Sequence, residues 1–339
     1  MNTCKQQKGL SLIELMLSLV IGLIVIAAVI EVFLASRQTY QVQTAKAHIQ
    51  ENGRYAMHIL THELLNVGYQ GCGSFQIGDD DVNNTLNTPN NYAWNFSVPL
   101  QGAEATGPSI WTPSLDSGLT DPVAGSDVIT VRGINQSEVR ITSHSIATPP
   151  GSAAIMIPSG NLLEQFDIVM VTDCESAAIF QITSANPSSS GTLTHNTGVG
   201  IPGNATQALG KNYTGGWINR LMTKSFYVRN NAEGIPALYT KRSTNNVQEL
   251  VSGVETMQLQ YGVDTDGDSS VDSYLTANAI TDWSQVMSIS IDLVIVSERD
   301  NISVDGPQDY VLDGNTVTPT DRRLRSVFSK TITLRNRVP

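Results

Sequence analysis

The chain has 339 residues, 40% hydrophobic, 15% charged and 6% aromatic, enough for one large globular body or two small ones. A formal net charge of −11 excludes a large basic footprint for nucleic acid. The abundance of Gly, Ser, Thr and Asn, with only short apolar runs after residue 36, excludes a helical bundle and predicts a β-rich body with long polar loops.

In chain order, the first element is KGLSLIELMLSLVIGLIVIAAVIEVFLAS, residues 8–36. Sixteen residues separate Glu14 from Glu31 with no charge and no proline. From Leu10 to Leu34 the run reaches the roughly 20 residues that a bilayer span needs. Lys5 and Lys8 precede it and no acid does, which predicts a cytoplasmic N-terminus. A secretory signal peptide fits poorly, because the run is too long and no small-x-small cleavage site follows it at SRQTYQVQ. The helical pattern continues instead. Val42, Ala45, Ile49, Ala56, Ile59, Leu60, Leu64 and Val67 form a stripe of helical period, with Gln, Lys, Glu, Arg and His between them. Gly68 and GYQGCG then supply a stop. As one helix, Leu10–Val67 has 58 residues and measures about 87 Å. Its first half is apolar all round; its second half is amphipathic and expected to lie against a folded head.

KGLSLIEL resembles the prepilin signature of type IV pilins and their relatives: a short basic leader, Gly, an apolar residue, then Glu five residues into the mature chain. The resemblance implies a leader at 1–9, cleavage by prepilin peptidase between Gly9 and Leu10, and N-methylation of Leu10. Family members most often have Phe where this chain has Leu10. A second level of resemblance separates the classes. QENGRYAMHILTHELLNVGYQGCG, VTDCESAAIFQIT and RRLRSVFSKTITLRNR are similar to segments of PilW-type minor pilins. Glu31 stands where major pilins usually carry proline, and a head of some 270 residues is large for a subunit packed thousands deep. The nearest rival is the J-type minor pseudopilin of type II secretion.

Glu14 has a physical reading beside the family one. A carboxylate inside the bilayer costs at least about 2–3 kcal/mol unless it is paired. Cleavage before Leu10 would create an amine that a neighbouring subunit can present to Glu14, making the residue a register mark for assembly. The plainer reading is a glutamate that snorkels to the headgroups from one turn inside the helix.

Three cysteines are present. Cys4 lies in the leader and receives no role. Cys72 and Cys174 form a natural pair if their side of the membrane is oxidising. Closing their loop of about 100 residues is worth roughly 4–5 kcal/mol in the chain-entropy model. Two buried thiols are the alternative.

Residues 75–125 form a polar stretch holding Trp94 and Trp111 and no clear helix. Strand-like runs follow: DVITVRGI (127–134), SEVRIT (137–142), AAIMI (153–157), FDIVMVTDC (166–174) and AAIFQIT (177–183). A second loop region spans 185–216. The closing group is KSFYVRN, ALYTKR, TMQLQYGVD, VMSISIDLVIVSE and VFSKTITLRNR. Alternation in MSISIDLVIVS predicts a strand with one buried face. The expected fold class is α+β and type IV pilin-like. A membrane half (10–36) and an amphipathic half (37–68) of one helix would pack on a large antiparallel β head (69–339).

Few residues suggest chemistry. In YGVDTDGDSSVDSY, Asp264, Asp266 and Asp268 alternate around Gly267, with Asp272 four further on; such acids can converge on one hard cation, here calcium. Glycine sits one place early for the D-x-D-x-D-G loops and the terminal Glu is missing. The alternative is a hairpin tip, where Asp-Gly is a common turn pair. GVGIPG at 198–203 matches G-x-G-x-x-G but lacks the strand and helix context of a nucleotide site. His58 and His62 stand at i, i+4 without the order or third ligand of a zinc site and read as solvated. Arg322, Arg323, Arg325, Lys330, Arg335 and Arg337 read as a charged strand face. No nucleophile motif is present, so no catalytic residue and no required cofactor are assigned.

Taken with the resemblance, these residues describe a structural minor pilin of a type IV pilus. It would prime assembly, sit at the tip within a minor-pilin complex, and support adhesion, twitching motility or DNA uptake. The implied partners are other minor pilins, the major pilin, a PilY-type tip adhesin, prepilin peptidase and the inner-membrane assembly platform; direct nucleic-acid binding is not expected. The implied location is the inner membrane with the head in the periplasm, then the pilus at the cell surface. A membrane-tethered binding module that never assembles is the reading from another class.

Overall fold

A computed structural model describes residues 11–69, 71, 81–134, 138–145, 154–243 and 247–336. Helix α1 spans Leu12–Leu65, 54 residues without interruption, two short of the expected length at each end. At its C-terminus Asn66 caps the helix, its side-chain amide donating to the His62 carbonyl at 2.9 Å. Gly68 then takes a φ of +78°, a backbone region where a Cβ is costly, and turns the chain away. Residues 12–34 are exposed except for the half-buried Gly22. Farther along, Ile49, Gly53, Ala56, Met57, Leu60 and Leu64 are buried, with Val42, Ala45 and Ile59 at the margin. Gly53 lies on this face because the Phe328 ring occupies the space where a Cβ would stand. A purely apolar template passes over such a position.

The described strands of the head are β1 (Val82–Asn84), β2 (Leu100–Gly107), β3 (Ile110–Thr112), β4 (Val128–Ile134), β5 (Val139–Arg140), β6 (Ser143–His144), β7 (Ile155–Met156), β8 (Ile168–Thr172), β9 (Ala177–Gln181), β10 (Thr192–Leu193) and β11 (Trp217–Asn230). They continue with β12 (Pro236–Arg242), β13 (Val247–Ser252), β14 (Val254–Val263), β15 (Ser273–Leu275), β16 (Val286–Val296), β17 (Tyr310–Leu312), β18 (Asn315–Val317) and β19 (Arg325–Thr333). A four-stranded sheet in the order β15-β14-β16-β19 carries the helix. Its inward residues Met257, Leu259, Tyr261, Ile289, Ile291, Leu293 and Ile332 share one core with the helix stripe. The larger sheet, in the order β1-β9-β8-β11-β4-β2-β3, adds Leu100, Ile129, Val131, Phe226 and Val228 to the same core. Strand β11 joins its two halves, pairing with β8 and β5 near its start and with β4 and β12 farther along.

Two expectations are corrected here. Strand β16 buries more than one face: Ile289, Ile291, Leu293 and Ile295 face the helix core, yet Ser288 on the opposite face is only 3% exposed. The Tyr274 hydroxyl covers it, 3.1 Å from Ser288 Oγ. The polar stretch 75–125 holds structure that the sequence pattern hides, since β2 and β3 form a hairpin and Leu100 is fully buried. LQGAEATG reads as loop because small residues replace the usual β-formers, and Gly102 among them is required by a close neighbour.

A second core lies away from the helix, around Ile141, Val169, Val171, Phe180, Leu193 and Ile218. His195 enters it at 1% exposure, its ring 4.9 Å from that of Phe180, with neither ring nitrogen partnered among the described residues. Burial, helped by neighbouring His144, pushes its pKa down to about 4. The folded chain therefore refuses a proton that the unfolded chain accepts, and stability falls as pH drops from about 6.5 to about 4. Asp127, buried in the other core and pushed up to about 7 by burial, acts in the opposite sense, taking a proton in the folded state first. The two tendencies offset each other in the parent. His195→Leu separates them: the unfolding free energy of the variant relative to the parent should rise by about 3 kcal/mol between pH 6.5 and 4. Denaturant titrations in detergent at four pH values check this. Curves that stay parallel would mean His195 is hydrated or partnered when folded.

Candidate functional site

The site with functional potential is the start of α1. Ser11 is its N-cap in extended conformation, and Ser11 with Glu14 forms a reciprocal capping box. The Ser11 N–H donates to Glu14 Oε2 at 3.0 Å, the Ser11 hydroxyl donates to the same oxygen at 3.1 Å, and the Glu14 N–H donates to Ser11 Oγ at 3.3 Å. Such a box satisfies two helix-end donors at once and places the carboxylate beside the positive end of the helix dipole. Glu14 thus reaches back to the residue next to Leu10 within its own chain. The S-x-x-E spacing at 11–14 is the sequence signal of this box. Oε1 carries no hydrogen bond among the described residues, so the box leaves an acceptor for a second donor. Gly9 and Leu10, the expected cleavage point, lie outside the described residues.

Polar contacts add to the shared core in holding the stalk to the head. Glu63 receives both its carboxylate bonds from Lys224 Nζ of β11, at 2.8 and 2.9 Å. Asn52 donates from its side-chain amide to the Ser252 carbonyl at 3.0 Å. Asn336 donates from its amide to the Leu65 and Val67 carbonyls at 3.3 and 3.1 Å, satisfying the helix end from the turn that follows β19.

The other predicted residues fall into place as follows. Cys174 is disulfide-bonded and has a φ of +70°; its expected partner Cys72 lies outside the described residues. Asp264, Asp266 and Asp268 each bring one oxygen within 4.8 Å of the others. Asp272 does not join them. Its carboxylate accepts from the Thr265 hydroxyl at 2.6 Å and the Thr265 N–H at 2.7 Å, which holds its carboxyl below the usual range. The loop's own N–H groups engage the other three: Gly267 and Ser269 donate to the two oxygens of Asp264, Asp268 to Asp266, and Ser270 to Asp268. This is a self-satisfied turn of Asx type.

GVGIPG is likewise structural. Gln181 donates from its amide to the Phe166 and Ile201 carbonyls and accepts from the Gly203 N–H, so the N–H that a phosphate cradle would need is already engaged. His58 and His62 are exposed on the outer side of α1. The C-terminal basic group is not one charged face. Arg325 is buried between Glu255 and Asp321, Arg322 donates to the Ser303 carbonyl at 3.0 Å, and Lys330 donates to Thr61 Oγ1 at 3.1 Å. Arg337 lies outside the described residues.

Two family models match the chain. The prokaryotic N-terminal methylation motif matches residues 4–30, and the type IV pilus-assembly protein W family (PilW) matches residues 225–336. The second match covers the part of the head from the latter half of β11 to β19, which includes the whole helix-bearing sheet. RRLRSVFSKTITLRNR falls almost wholly within it, while VTDCESAAIFQIT and QENGRYAMHILTHELLNVGYQGCG fall outside both matches. Together the matches cover well under half of the chain. No curated protein and no solved structure matches.

Proposed function

We propose that this chain, a prepilin-like pilin of the PilW type, primes assembly of a type IV pilus from the inner membrane as a minor subunit. The head would stand in the periplasm, and cleavage between Gly9 and Leu10 with methylation of Leu10 would precede assembly. One observation carries the reading. A 23-residue, largely apolar helix segment, 12–34, finds no packing partner among the described residues, and Glu14 stands in its first turn with one carboxylate oxygen unclaimed among them. In lipid both needs are met by the helices of neighbouring subunits. On this reading a place at the tip with other minor pilins and a PilY-type adhesin follows, together with contacts to the major pilin and the assembly platform. Pairing of Cys72 with Cys174 belongs to the same proposal, because the periplasm is oxidising. Calcium in the 264–268 loop is a separate proposal that assembly does not require.

The capping box makes the test specific. Glu14→Gln keeps a cap, since Gln serves at that position as well as Glu, but removes the charge. Recovery of the variant in sheared pili should fall at least about tenfold, the effect expected of a lost buried charge pair. Ser11→Ala, which weakens the cap and keeps the charge, should change recovery far less. If Glu14→Gln is recovered in pili like the parent, the Glu14 charge is not the register mark; if the parent itself is absent from pili, the chain is a tethered module and not a filament subunit. Intact mass of the same material reports leader loss, one added methyl group and two hydrogens lost at the disulfide. Loss of secreted proteins with pili intact, on deletion, would assign the chain to type II secretion instead.

A further inference from the structure

A β protein is open to further pairing at its sheet edges, and this head keeps most of its edges short. Strands β1, β3 and β15 have three residues each, and β6 and β10 have two. The six-residue edge β13 carries Glu249, and its pairing with β12 is interrupted by a register shift. Strand β19 differs. Its nine residues pair with β16 in unbroken register from Arg325 opposite Val296 to Thr333 opposite Ser288, and among the described residues no strand pairs with its other side, though β17 lies near it.

The flanking bonds fix which groups face outward. The Ser297 N–H donates to the Leu324 carbonyl at 2.9 Å, and the Leu334 N–H donates to the Met287 carbonyl at 2.8 Å. Even-numbered residues of β19 therefore face β16, and Arg325, Val327, Ser329, Thr331 and Thr333 turn their backbone groups outward. Among the described residues none of these outward N–H and C=O groups has a backbone partner. Ser329, Lys330, Thr331 and Thr333 are exposed. No proline, acid, glycine or bulge blunts VFSKTIT, and its single lysine is held by Thr61. The strand is also fixed from behind, with Phe328 against Gly53 and Ile332 in the core.

We propose that this edge receives an extended segment of a neighbouring, different subunit, which joins the helix-bearing sheet as a fifth strand. The edge specifies its occupant. Outward backbone groups at every second residue are met by another strand. The hydroxyl row Ser329, Thr331 and Thr333 favours Ser, Thr or Asn side chains opposite it. A second copy of the same strand does not fit. Strand β19 advances with α1, its Phe328 against Gly53, Lys330 at Thr61 and, just beyond it, Asn336 at Leu65 and Val67. A two-fold pairing of two β19 edges would run antiparallel and set two membrane helices in opposite directions.

The proposal rests on the filament reading, and its test separates the two. Amide exchange over 325–334 is compared between the full chain in detergent and the same chain in pili sheared from cells. The outward amides should exchange at least about tenfold more slowly in pili, as amides in a ladder do. Thr331→Pro removes an outward N–H without touching the β16 ladder, so recovery in pili should fall about tenfold while the unfolding midpoint stays within a few degrees. Thr331→Glu, which needs no change of backbone, serves if the proline variant fails to fold. Equal exchange in both states with normal recovery of the variants would overturn the edge proposal while leaving the Glu14→Gln result standing. A dimer with a protected edge in detergent would assign the edge to a second copy, which also overturns it.

Discussion

Replacing Gly102 with alanine is expected to cost the head at least about 3 kcal/mol, the upper part of the range for overpacking. Gly102 lies on β2, where it faces Tyr261 of β14, so the contact joins the larger sheet to the sheet that carries the helix. A Cβ there would overlap the Tyr261 hydroxyl and come within 3.0 Å of a ring carbon. Tyr261 cannot yield, since it is fully buried and its ring meets Trp283 edge-on at 4.9 Å between centroids. Its hydroxyl has no partner among the described residues and lies near Glu104 and Asp127. Tyr261→Phe should therefore be close to neutral alone and should recover part of the loss when combined with Gly102→Ala. A double-mutant cycle by denaturant titration measures that coupling. A loss under about 1 kcal/mol for Gly102→Ala would mean the two sheets stand farther apart than described.

Arg325→Met is expected to lower stability by about 2–3 kcal/mol. The Arg325 side chain is 4% exposed and makes four bonds to two carboxylates: to Glu255 at 2.6 and 2.7 Å, and to Asp321 at 2.6 and 2.9 Å. Removing one member of a buried pair usually costs about 3–5 kcal/mol because the remaining charge is stranded. Here Glu255 and Asp321 keep 29% and 33% of their side-chain surface and can rehydrate, which sets the lower figure. Arg325→Lys should recover little, since an ammonium cannot serve two carboxylates in the plane of a guanidinium. Arg325 also holds the Asp321 carboxyl below the usual range. That contribution is present at neutral pH and lost as pH falls through the depressed pKa. The variant should therefore be the less acid-sensitive protein in the acidic range. If Arg325→Met and Arg325→Lys both unfold like the parent, the cluster is a surface network of little weight.

Much of this architecture was legible in the sequence because it rests on period. The stripe from Val42 to Val67 lacks proline and ends in Gly68, and the helix ends there. FDIVMVTDC, AAIFQIT and VMSISIDLVIVSE are rich in β-branched residues, and each is a strand. The hairpin of β2 and β3 was not legible, because GAEATG owes its place to contacts from distant Tyr261 and Asp127. The Ala105 N–H donates to Asp127 Oδ1 at 2.9 Å, and only the folded chain brings these residues together. At the candidate site the charge of Glu14 stands out against its apolar run, whereas its cap to Ser11 is signalled only by the S-x-x-E spacing. In the Asp-rich loop, spacing alone cannot show that Asp272 turns to Thr265 while Asp264, Asp266 and Asp268 draw together.

The helix has no proline and no break from Leu12 to Leu65, and side-chain bonds fasten its last two turns to the head. A rod without a joint transmits torque as well as thrust. A turn or a lift applied at the exposed apolar end would therefore be carried along one unbroken helix to the head, with only the gentle bending of a long helix to absorb it.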